Sequence, residues 1–443
     1  MALALALIAA ACGDDGGDDV ATPRTTDTAP PEQSTTLPAD TPVDEGDDDD
    51  GETEPASLTA SEVGVTESAI RIGVVMPDTS FLERDPGDIE AKSQVIVDEI
   101  NAAGGINGRT IELYFRPVHP LEDDTYDLAC VELVEDVRVF AVLGLFPRST
   151  ADCYARINDT PVVNTFAITE ADLENFTAPA ISLIGQPARL AGERVRTLID
   201  AGALSPDTPI AVHGVNIGLD QHQDYLDALD AAGIEVVADT IGTEDGQDFL
   251  ALENELLTLS EVWLSSGAEA LFASSDLNAQ SFVIAYNLTT IDLPMVLPDG
   301  VSVPPSLLAD ALGLDLAPFE LATALVDGED AVTKYEQGIH GVTACVDRFQ
   351  QSSGEVVALD GSRDNLEETI IACQLFDMFV PIAEAAGVDL THESFVAAAE
   401  AFGPIEITDI AAASIGPGKL DLNDSVGVVG AFNAESVDFE PVA

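Results

Sequence analysis

Several small hydroxyl and carboxyl side chains directly follow apolar runs, in positions where they could bind a small charged solute. Ser149 and Thr150 come after the apolar run 139–144 and begin a helical pattern. Their hydroxyls and the free N–H groups of a helix start can hold a carboxylate. Asp299 ends a later apolar run and could face an ammonium group. The alternatives are an ordinary helix N-cap for Ser149 and Thr150, and a turn before Gly300 for Asp299.

The sequence carries no recognisable catalytic motif. It has no Gly-x-Ser-x-Gly elbow, no phosphate loop ending in Gly-Lys-Ser/Thr and no His-Glu-x-x-His zinc motif. The glycine-rich segment 104–108 follows a helical pattern, whereas a dinucleotide-binding loop must follow a strand. Each histidine is interpreted as a surface or core side chain: His119, His213, His222, His340 and His392. We therefore expect a protein that is not an enzyme and that uses no metal or organic cofactor.

Strands alternating with helices must position the candidate side chains. Residues 70–76 and 111–115 are short apolar runs, and the pattern between them repeats at helical spacing. Such a unit favours two parallel strands joined by a right-handed crossover. Ligands of these sheets bind beyond the carboxyl ends of the strands. Thr79, Ser80 and Phe81 follow the first strand, so they are predicted to line a ligand cleft opposite the aspartate that ends the later run.

The same alternation recurs along the 443 residues, which is a length sufficient for two domains with full cores. We predict an α/β fold with two Rossmann-like, doubly wound lobes joined by a multi-strand hinge. The predicted boundaries are a signal peptide at 1–12, a linker at 13–67, a first lobe at 68–186 plus 328–408, and a second lobe at 187–327 plus 409–443.

The charge balance restricts the partners. A net charge of -65 results from 81 acidic and 16 basic residues. Nucleic acid is excluded as a partner because phosphate neutralisation needs Lys and Arg. An acidic surface of this kind repels itself at low ionic strength. We expect a salty external medium, in which screening relieves the repulsion. The alternative is a lineage whose proteins are acidic in general.

The N-terminus resembles a bacterial lipoprotein signal. Residues 2–11 are Ala, Leu and Ile, too few to span a bilayer, and they lead to Cys12, the expected site of lipidation. No basic residue precedes them, which indicates a translation start a few residues upstream. Residues 13–67 are rich in Pro, Thr and Asp and are predicted to form a disordered tether. The alternative is an ordinary signal peptide with a chance cysteine.

The remaining cysteines are predicted to form disulfides. An even number in an exported protein favours two local bonds, although three connectivities are open. A metal site is not expected, because there is no Cys-x-x-Cys and no nearby His pair. The four residues are Cys130, Cys153, Cys345 and Cys373.

Five motifs resemble the solute-binding proteins of ABC transporters, of the leucine/isoleucine/valine-binding type. The most specific is Ile-Asn-x-x-Gly-Gly-Ile-x-Gly-Arg, which lies within Asp98–Arg109. The similarity covers the chain from about Ile70 to the C-terminus. The other motifs are Ile70–Gly73, Val142–Gly144, Gly246–Phe249 and Leu297–Val301.

The resemblance implies two lobes joined by three hinge strands that close on a small ligand. In the amino-acid binders of this family, hydroxyls and backbone groups of the first lobe hold the ligand carboxylate. The matching positions here fall near Ser149, Thr150, Ala167 and Thr169. An acidic residue of the second lobe holds the amine, and this sequence has Asp299 at that place.

Two positions depart from the family pattern. Arg148 stands where small residues are usual, and its side chain could reach a ligand carboxylate or fill the pocket. Ile217 replaces the aromatic residue of an aromatic-glycine pair. Amides, urea-like solutes and aromatic acids are therefore open as ligands.

Together these features predict an extracytoplasmic protein that delivers a small polar solute to an ABC permease in the membrane. The solute is expected to be an amino acid of the branched-chain type, bound by closure of the lobes. We expect a monomer that is anchored to the outer face of the cell membrane through the lipid on Cys12. The alternative is a ligand-sensing receptor domain of the same fold.

Overall fold

The structure is a computed structural model. It describes residues 58–78, 88–119, 123–145, 148–165, 168, 170–215, 219–242, 249–274, 286, 291–298, 322–326, 331–358, 363–433 and 438–441. The predicted signal peptide and nearly all of the predicted linker lie outside these residues. Within them, no helix is long and apolar enough to cross a membrane.

Two large sheets dominate the described residues, and a two-strand ladder accompanies them. The strands are β1 Ala69–Pro77, β2 Thr110–Val118, β3 Ala141–Gly144, β4 Val162–Asn164, β5 Ala180–Ser182, β6 Ile210–Val215, β7 Val236–Gly242, β8 Ala270–Ala273, β9 Met295–Leu297, β10 Ala322–Val326, β11 Gly403–Pro404, β12 Ser414–Ile415, β13 Val428–Asn433 and β14 Asp438–Pro441.

Helices connect most of these strands. They are α1 Ile89–Ala102, α2 Asp123–Val131, α3 Arg148–Asp152, α4 Glu170–Asn175, α5 Pro187–Asp200, α6 Leu219–Ala231, α7 Phe249–Ser266, α8 Ala331–Gln337, α9 Val342–Ser353, α10 Arg363–Ala385 and α11 His392–Phe402. Helices α2 and α3 each continue as a short π-helix, at Glu132–Val137 and Cys153–Ile157.

The first sheet has the order β2-β1-β3-β4-β5, and all of its neighbouring strands run parallel. Strand β1 is buried at every position except Arg71 and Pro77. This is the pattern of a central parallel strand covered on both faces, and it explains why the sequence reads as a continuous apolar run. The predicted strand-helix-strand unit at the start of the body is therefore confirmed.

Helix α1 begins and ends as the residue types require. The Asp88 carboxylate accepts a hydrogen bond from the Ala91 N–H at 2.9 Å, which makes Asp88 the N-cap. After the helix, a Cβ on Gly105 would lie 1.9 Å from the Arg109 carbonyl oxygen. Only glycine fits there, at φ +69°. The glycine-rich segment is thus a turn between helix and strand.

Arg109, the last residue of that motif, is a structural cation. Its side chain is buried and donates hydrogen bonds to the carbonyl oxygens of Thr66, Val388 and Thr59 at 2.8, 2.7 and 2.8 Å. These three carbonyls belong to segments far apart in the sequence. The arginine therefore joins the start of the folded body to the segment after α10.

The second sheet has the order β14-β13-β10-β9-β8-β6-β7. Strands β6 to β10 run parallel to one another, whereas β13 pairs antiparallel with β10 and β14 antiparallel with β13. The fold is therefore α/β with two Rossmann-like parallel sheets, as the sequence predicts.

In the sequence, residues 409–427 lie between β10 and β13 of the second sheet, but they contribute to the core of the first. Ile415 and Leu422 are buried in the same apolar cluster as β1 and α10. They lie there because the chain runs beside β5: the Ser182 N–H donates to the Leu420 carbonyl oxygen at 2.9 Å. The expected boundary at 409 assigned them to the second lobe, to which β13 and β14 contribute strands. The lobe boundaries remain a proposal.

The predicted disulfides are present and local. Cys130 bonds to Cys153, which links α2 to the π-helix after α3. Cys345 bonds to Cys373, which links α9 to α10. The Cys345–Cys373 pair is buried in the cluster that packs against the first sheet, so both disulfides stabilise the first lobe.

Candidate ligand-binding site

The carboxyl ends of the first sheet are held in step by the backbone. The Leu145 N–H donates to the Val75 carbonyl oxygen at 3.1 Å, and the Thr165 N–H donates to the Gly144 carbonyl oxygen at 3.0 Å. The ends of β1, β3 and β4 therefore meet at one edge. Ligands of parallel sheets bind at this edge.

Two threonines follow adjacent strands at that edge. Thr150 lies in the first turn of α3, directly after β3, and Thr165 follows β4. Both side chains are buried, with 8% and 6% of their surface exposed. The Thr165 hydroxyl reaches the Gly144 carbonyl oxygen at 3.4 Å. The predicted helix start after β3 is confirmed, whereas a ligand role for its residues stays a prediction.

The other predicted ligand residues can be located only in part. Arg148 and Ser149 are the first residues of α3, which places their backbone at the end of β3. The remaining predicted ligand residues lie outside the described part of the chain, as does the predicted lipidation site: Thr79, Ser80, Phe81, Ala167, Thr169, Ile217, Asp299 and Cys12.

The second sheet carries a polar cluster at its strand ends that the sequence analysis did not predict. His222, in the first turn of α6, approaches Ser274 through Nδ1, with 2.5 Å to the hydroxyl oxygen. Its Nε2 lies 2.7 Å from a carboxylate oxygen of Asp239 on β7. The Ser274 hydroxyl also lies 3.1 Å from the carbonyl oxygen of His213 on β6. We name these residues (Asp239, His222, Ser274 and the His213 carbonyl) the strand-end chain.

The His213 side chain contacts Thr240 and Trp263, which are not part of the strand-end chain. Its Nδ1 lies 3.2 Å from the Thr240 hydroxyl, and its ring packs edge-on against Trp263 with centroids 5.5 Å apart. Burial lowers the pKa of His213 from 6.5 to about 4, against the nearby Glu255 carboxylate, which raises it, while His222 adds to the lowering. Removal from water disfavours the charged imidazolium more than one carboxylate favours it.

The strand-end chain depends on a glycine. A Cβ on Gly214 would lie 2.5 Å from His222 Nδ1 and 3.0 Å from the Ser274 hydroxyl oxygen. Any larger residue would displace the imidazole. The side chains of His222 and Ser274 are almost fully buried, whereas half of the Asp239 side chain is exposed.

Sequence reasoning missed this cluster because it treated each histidine singly. His213 and His222 are nine positions apart, on a strand and on the following helix. Asp239 lies on β7 and Ser274 directly follows β8, and these are the two strands next to β6. The available signal was the His-Gly pair that ends a buried strand, since glycine there leaves room for a side chain from the next helix.

A charged network joins the helix that starts the second lobe to the segment that packs on the first. The buried Asp421 carboxylate accepts from the Gln186 N–H at 2.8 Å and from Arg189 Nη2 at 2.5 Å. Arg189 Nη1 also donates to Asp424 at 2.9 Å. Because Gln186 is the N-cap of α5, the carboxylate neutralises the start of that helix from another segment.

Comparisons with known proteins agree with this architecture. Residues 69–278 match the family described as Periplasmic binding protein. An ABC transporter solute-binding protein from Rhodopseudomonas palustris, solved with 4-hydroxybenzoate, is 15% identical with a TM-score of 0.57, over 84% of this chain and 95% of that one. A substrate-binding protein from Desulfitobacterium hafniense, solved with leucine, is 15% identical with a TM-score of 0.54, over 85% and 100%.

A third structure is similar to the same extent. The branched-chain amino acid transporter substrate-binding protein from Streptococcus pneumoniae, solved with isoleucine, is 15% identical with a TM-score of 0.51, over 80% of this chain and 98% of that one. No curated protein matches the sequence. At these identities the structures establish the fold.

The family match covers β1 to β8, and the solved structures share the type I periplasmic-binding-protein fold with this chain. Proteins of the matched family are extracytoplasmic solute-binding proteins of ABC transporters. The fold that the resemblance implies is therefore confirmed, whereas the lipoprotein form stays a prediction.

Proposed function

We propose that this protein is the substrate-binding component of an ABC importer and binds a small polar solute, an amino acid of the branched-chain type, between its lobes. The observation that supports this most directly is the pair of buried threonines, Thr150 and Thr165, at the carboxyl ends of adjacent parallel strands. In the predicted site, hydroxyl and N–H groups at this edge hold the ligand carboxylate. Asp299 supplies the charge for the ligand amine.

The ligands of solved proteins with a similar fold support an amino acid as the solute and also indicate the alternative ligand class. One was solved with leucine and one with isoleucine, both of which carry a carboxylate and an amine. Another was solved with 4-hydroxybenzoate, which has the carboxylate without the amine. Arg148 stands at the start of α3 and supplies a cation for a carboxylate in either case. An aromatic acid is therefore the second candidate.

Thermal unfolding in high salt tests the proposal. Leucine, isoleucine, valine, an amide, urea and 4-hydroxybenzoate are each added at increasing concentration. A ligand at a hundredfold excess over its Kd stabilises the folded state by about 2.7 kcal/mol, which raises Tm in a concentration-dependent manner. An absence of response to every solute would contradict the transport function.

Asp299→Asn separates the two ligand classes. If an amine is held by Asp299, the variant weakens binding of leucine strongly and leaves binding of 4-hydroxybenzoate unchanged. Asp292→Asn, on the segment that leads to β9, is the matched control and changes neither affinity. Equal leucine affinity of Asp299→Asn and the wild type would overturn the assignment of the amine site without affecting the transport function.

The lipid anchor is part of the same proposal. We infer that Cys12 carries the lipid, that residues 13–67 act as the tether, and that the monomeric body presents the solute to the permease. Expression of Cys12→Ala in the native host should release the protein from the membrane fraction into the medium. Retention of this variant in the membrane would contradict lipidation at this residue.

A further inference from the structure

The strand-end chain contains the three residue types of a serine hydrolase triad, in the order Ser274, His222, Asp239. The three groups come from separate elements: the residue after β8, the first turn of α6 and the middle of β7. The hydroxyl oxygen and Nδ1 are 2.5 Å apart, and Nε2 and the carboxylate oxygen are 2.7 Å apart. This geometry orients an imidazole as firmly as a triad does.

The surroundings of Ser274 argue against nucleophilic chemistry. Its side chain has no exposed surface, whereas a nucleophile must reach the substrate. Its hydroxyl also lies 3.1 Å from the His213 carbonyl oxygen, and its own N–H donates to that same carbonyl at 2.9 Å. The hydroxyl and the backbone N–H of Ser274 thus both face the end of β6. The serine acts within the structure, as a connection between β8 and β6.

The exposed member of the strand-end chain is the carboxylate of Asp239. Asp239 reaches solvent, while His222 and Ser274 are enclosed. The Nε2–H donates a hydrogen bond to the Asp239 carboxylate, because a carboxylate oxygen accepts. Nδ1 faces the Ser274 hydroxyl oxygen. The imidazole is thereby fixed between the two oxygens.

We propose that His222, backed by Asp239, is a positioning residue that holds Ser274 and thereby locks the carboxyl ends of β6 and β8 together. This inference takes from the proposed function only the idea that the solute binds at this edge. The strand-end chain thereby fixes the edge of the second sheet at which the proposed solute would bind.

Gly214 supports the proposal from a separate direction. It stands between His213 and the end of β6, and its missing side chain is the space that the imidazole occupies. A glycine in a buried strand weakens the strand by itself. Here the lost strand contact is replaced by the hydrogen bonds of the imidazole that enters from α6.

The test uses nuclear magnetic resonance on protein labelled with nitrogen-15, without any solute. It measures the ring nitrogen signals of His222 and the exchange rate of the Ser274 amide proton. In Asp239→Ala we expect the ring signals to move and the amide to exchange about tenfold faster, because a hydrogen bond to a charged group is worth enough to change an opening equilibrium by that factor. Asp239→Asn keeps an acceptor and should restore most of the protection.

The matched control is Asp227→Ala. Asp227 lies on α6 in the same lobe, is exposed, and accepts one side-chain hydrogen bond from Gln223 at 2.8 Å. This variant removes an acid and a hydrogen bond of similar length but leaves His222 in place. Neither the His222 signals nor the Ser274 exchange should change.

Two outcomes would overturn the proposal. One is unchanged Ser274 exchange in Asp239→Ala, which would show that the acid does not support the serine. The other is covalent labelling of Ser274 in the wild-type protein by a fluorophosphonate, which would make the serine an accessible nucleophile. Neither measurement involves a solute, so a failure of the solute screen and a failure of this proposal are separate results.

Discussion

The two lobes of this protein are held together by different means. The first sheet carries an apolar cluster on each face, and one of them includes the edge-to-face pair Phe140 and Phe379, with ring centroids 6.4 Å apart, and Phe395 beside them. Two disulfides tie its helices. The second sheet also carries a cluster on each face, around Trp263 and around Phe272. Its strand ends are joined by the strand-end chain.

The difference between disulfides and a hydrogen-bonded chain indicates how readily each lobe can open locally. Disulfides between packed helices oppose local opening. The strand ends of the second sheet are joined by hydrogen bonds, which can open locally. We therefore expect the first lobe to be the more rigid of the two. Trp263 is the only tryptophan of the sequence, so its fluorescence reports the second lobe alone, whereas far-ultraviolet circular dichroism reports both.

Removal of a core aromatic ring should produce the largest loss. Phe379 is fully buried between Phe140 and Phe395, and Phe379→Ala should lower the free energy of unfolding by about 3–5 kcal/mol through lost burial and a cavity. Thermal unfolding followed by circular dichroism should shift more than the transition followed by Trp263.

Phe272→Ala is the counterpart in the second lobe. Phe272 is equally buried and packs edge-on against Tyr225 at 5.4 Å. It should shift the Trp263 transition most. Coincident shifts in both probes for both variants would show that the lobes unfold as one unit, and the comparison between them would fail.

Loss of a disulfide should come next. The Cys345–Cys373 bond closes a separation of 28 residues and Cys130–Cys153 one of 23. Loop-closure entropy predicts roughly 3–4 kcal/mol for each bond. Cys345→Ala with Cys373→Ala, and the corresponding double variant of the other pair, should lower the circular dichroism transition. A larger shift in the Trp263 signal than in circular dichroism would contradict this prediction, because it would place the destabilisation in the second lobe.

The sequence predicted the fold better than the site, for a physical reason. Strand β1, helix α1 and the turn at Gly105 are determined by local rules, namely apolar periodicity, an N-cap and a position that only glycine fits. The disulfides were predicted as local from their number and spacing, although the sequence left the pairing open. These features need no knowledge of distant residues.

The strand-end chain needs that knowledge. His222, Asp239 and Ser274 meet only because β7 and β8 flank β6 in the second sheet, an order that local patterns do not contain. The return of residues 409–427 to the first lobe is similar. Their apolar side chains do not distinguish one core from another, and the pairing beside β5 decides it.

Acid should destabilise the second lobe through His213. The pKa of His213 is lowered by burial to about 4 in the folded protein and is about 6.5 in the unfolded chain. Between these values the unfolded state binds a proton that the folded state rejects, so stability falls as pH decreases through this window. The loss is on the order of 2 kcal/mol at pH 5.

His213→Phe removes this proton and keeps an aromatic ring against Trp263. Its Trp263 transition should depend less on pH between 7 and 4.5 than that of the wild type. Burial also lowers the pKa of His392 in the first lobe, in the same direction, so the wild type and the variant share that contribution. Parallel pH profiles of the two proteins would remove His213 as the source of the acid sensitivity.

The smallest effect should come from the network between the lobes. Arg189 is about one-third exposed, at 32%, while the Asp421 carboxylate is 5% exposed. Arg189→Gln leaves that carboxylate with the Gln186 N–H as a partner. Water can replace part of what the guanidinium provided, and we expect a loss of about 1 kcal/mol. Because this contact joins α5 to the segment on the first lobe, its loss should separate the circular dichroism and Trp263 transitions further.

Arg156→Gln is the matched control for this change. Arg156 pairs with Asp152 at 2.7 Å within one short helical segment of the first lobe, and both side chains are exposed. Its removal should leave both transitions and their separation as they are. If Arg189→Gln behaved like this control, the charged network would be a surface feature, and the coupling between the two lobes would have to come from the predicted multi-strand hinge.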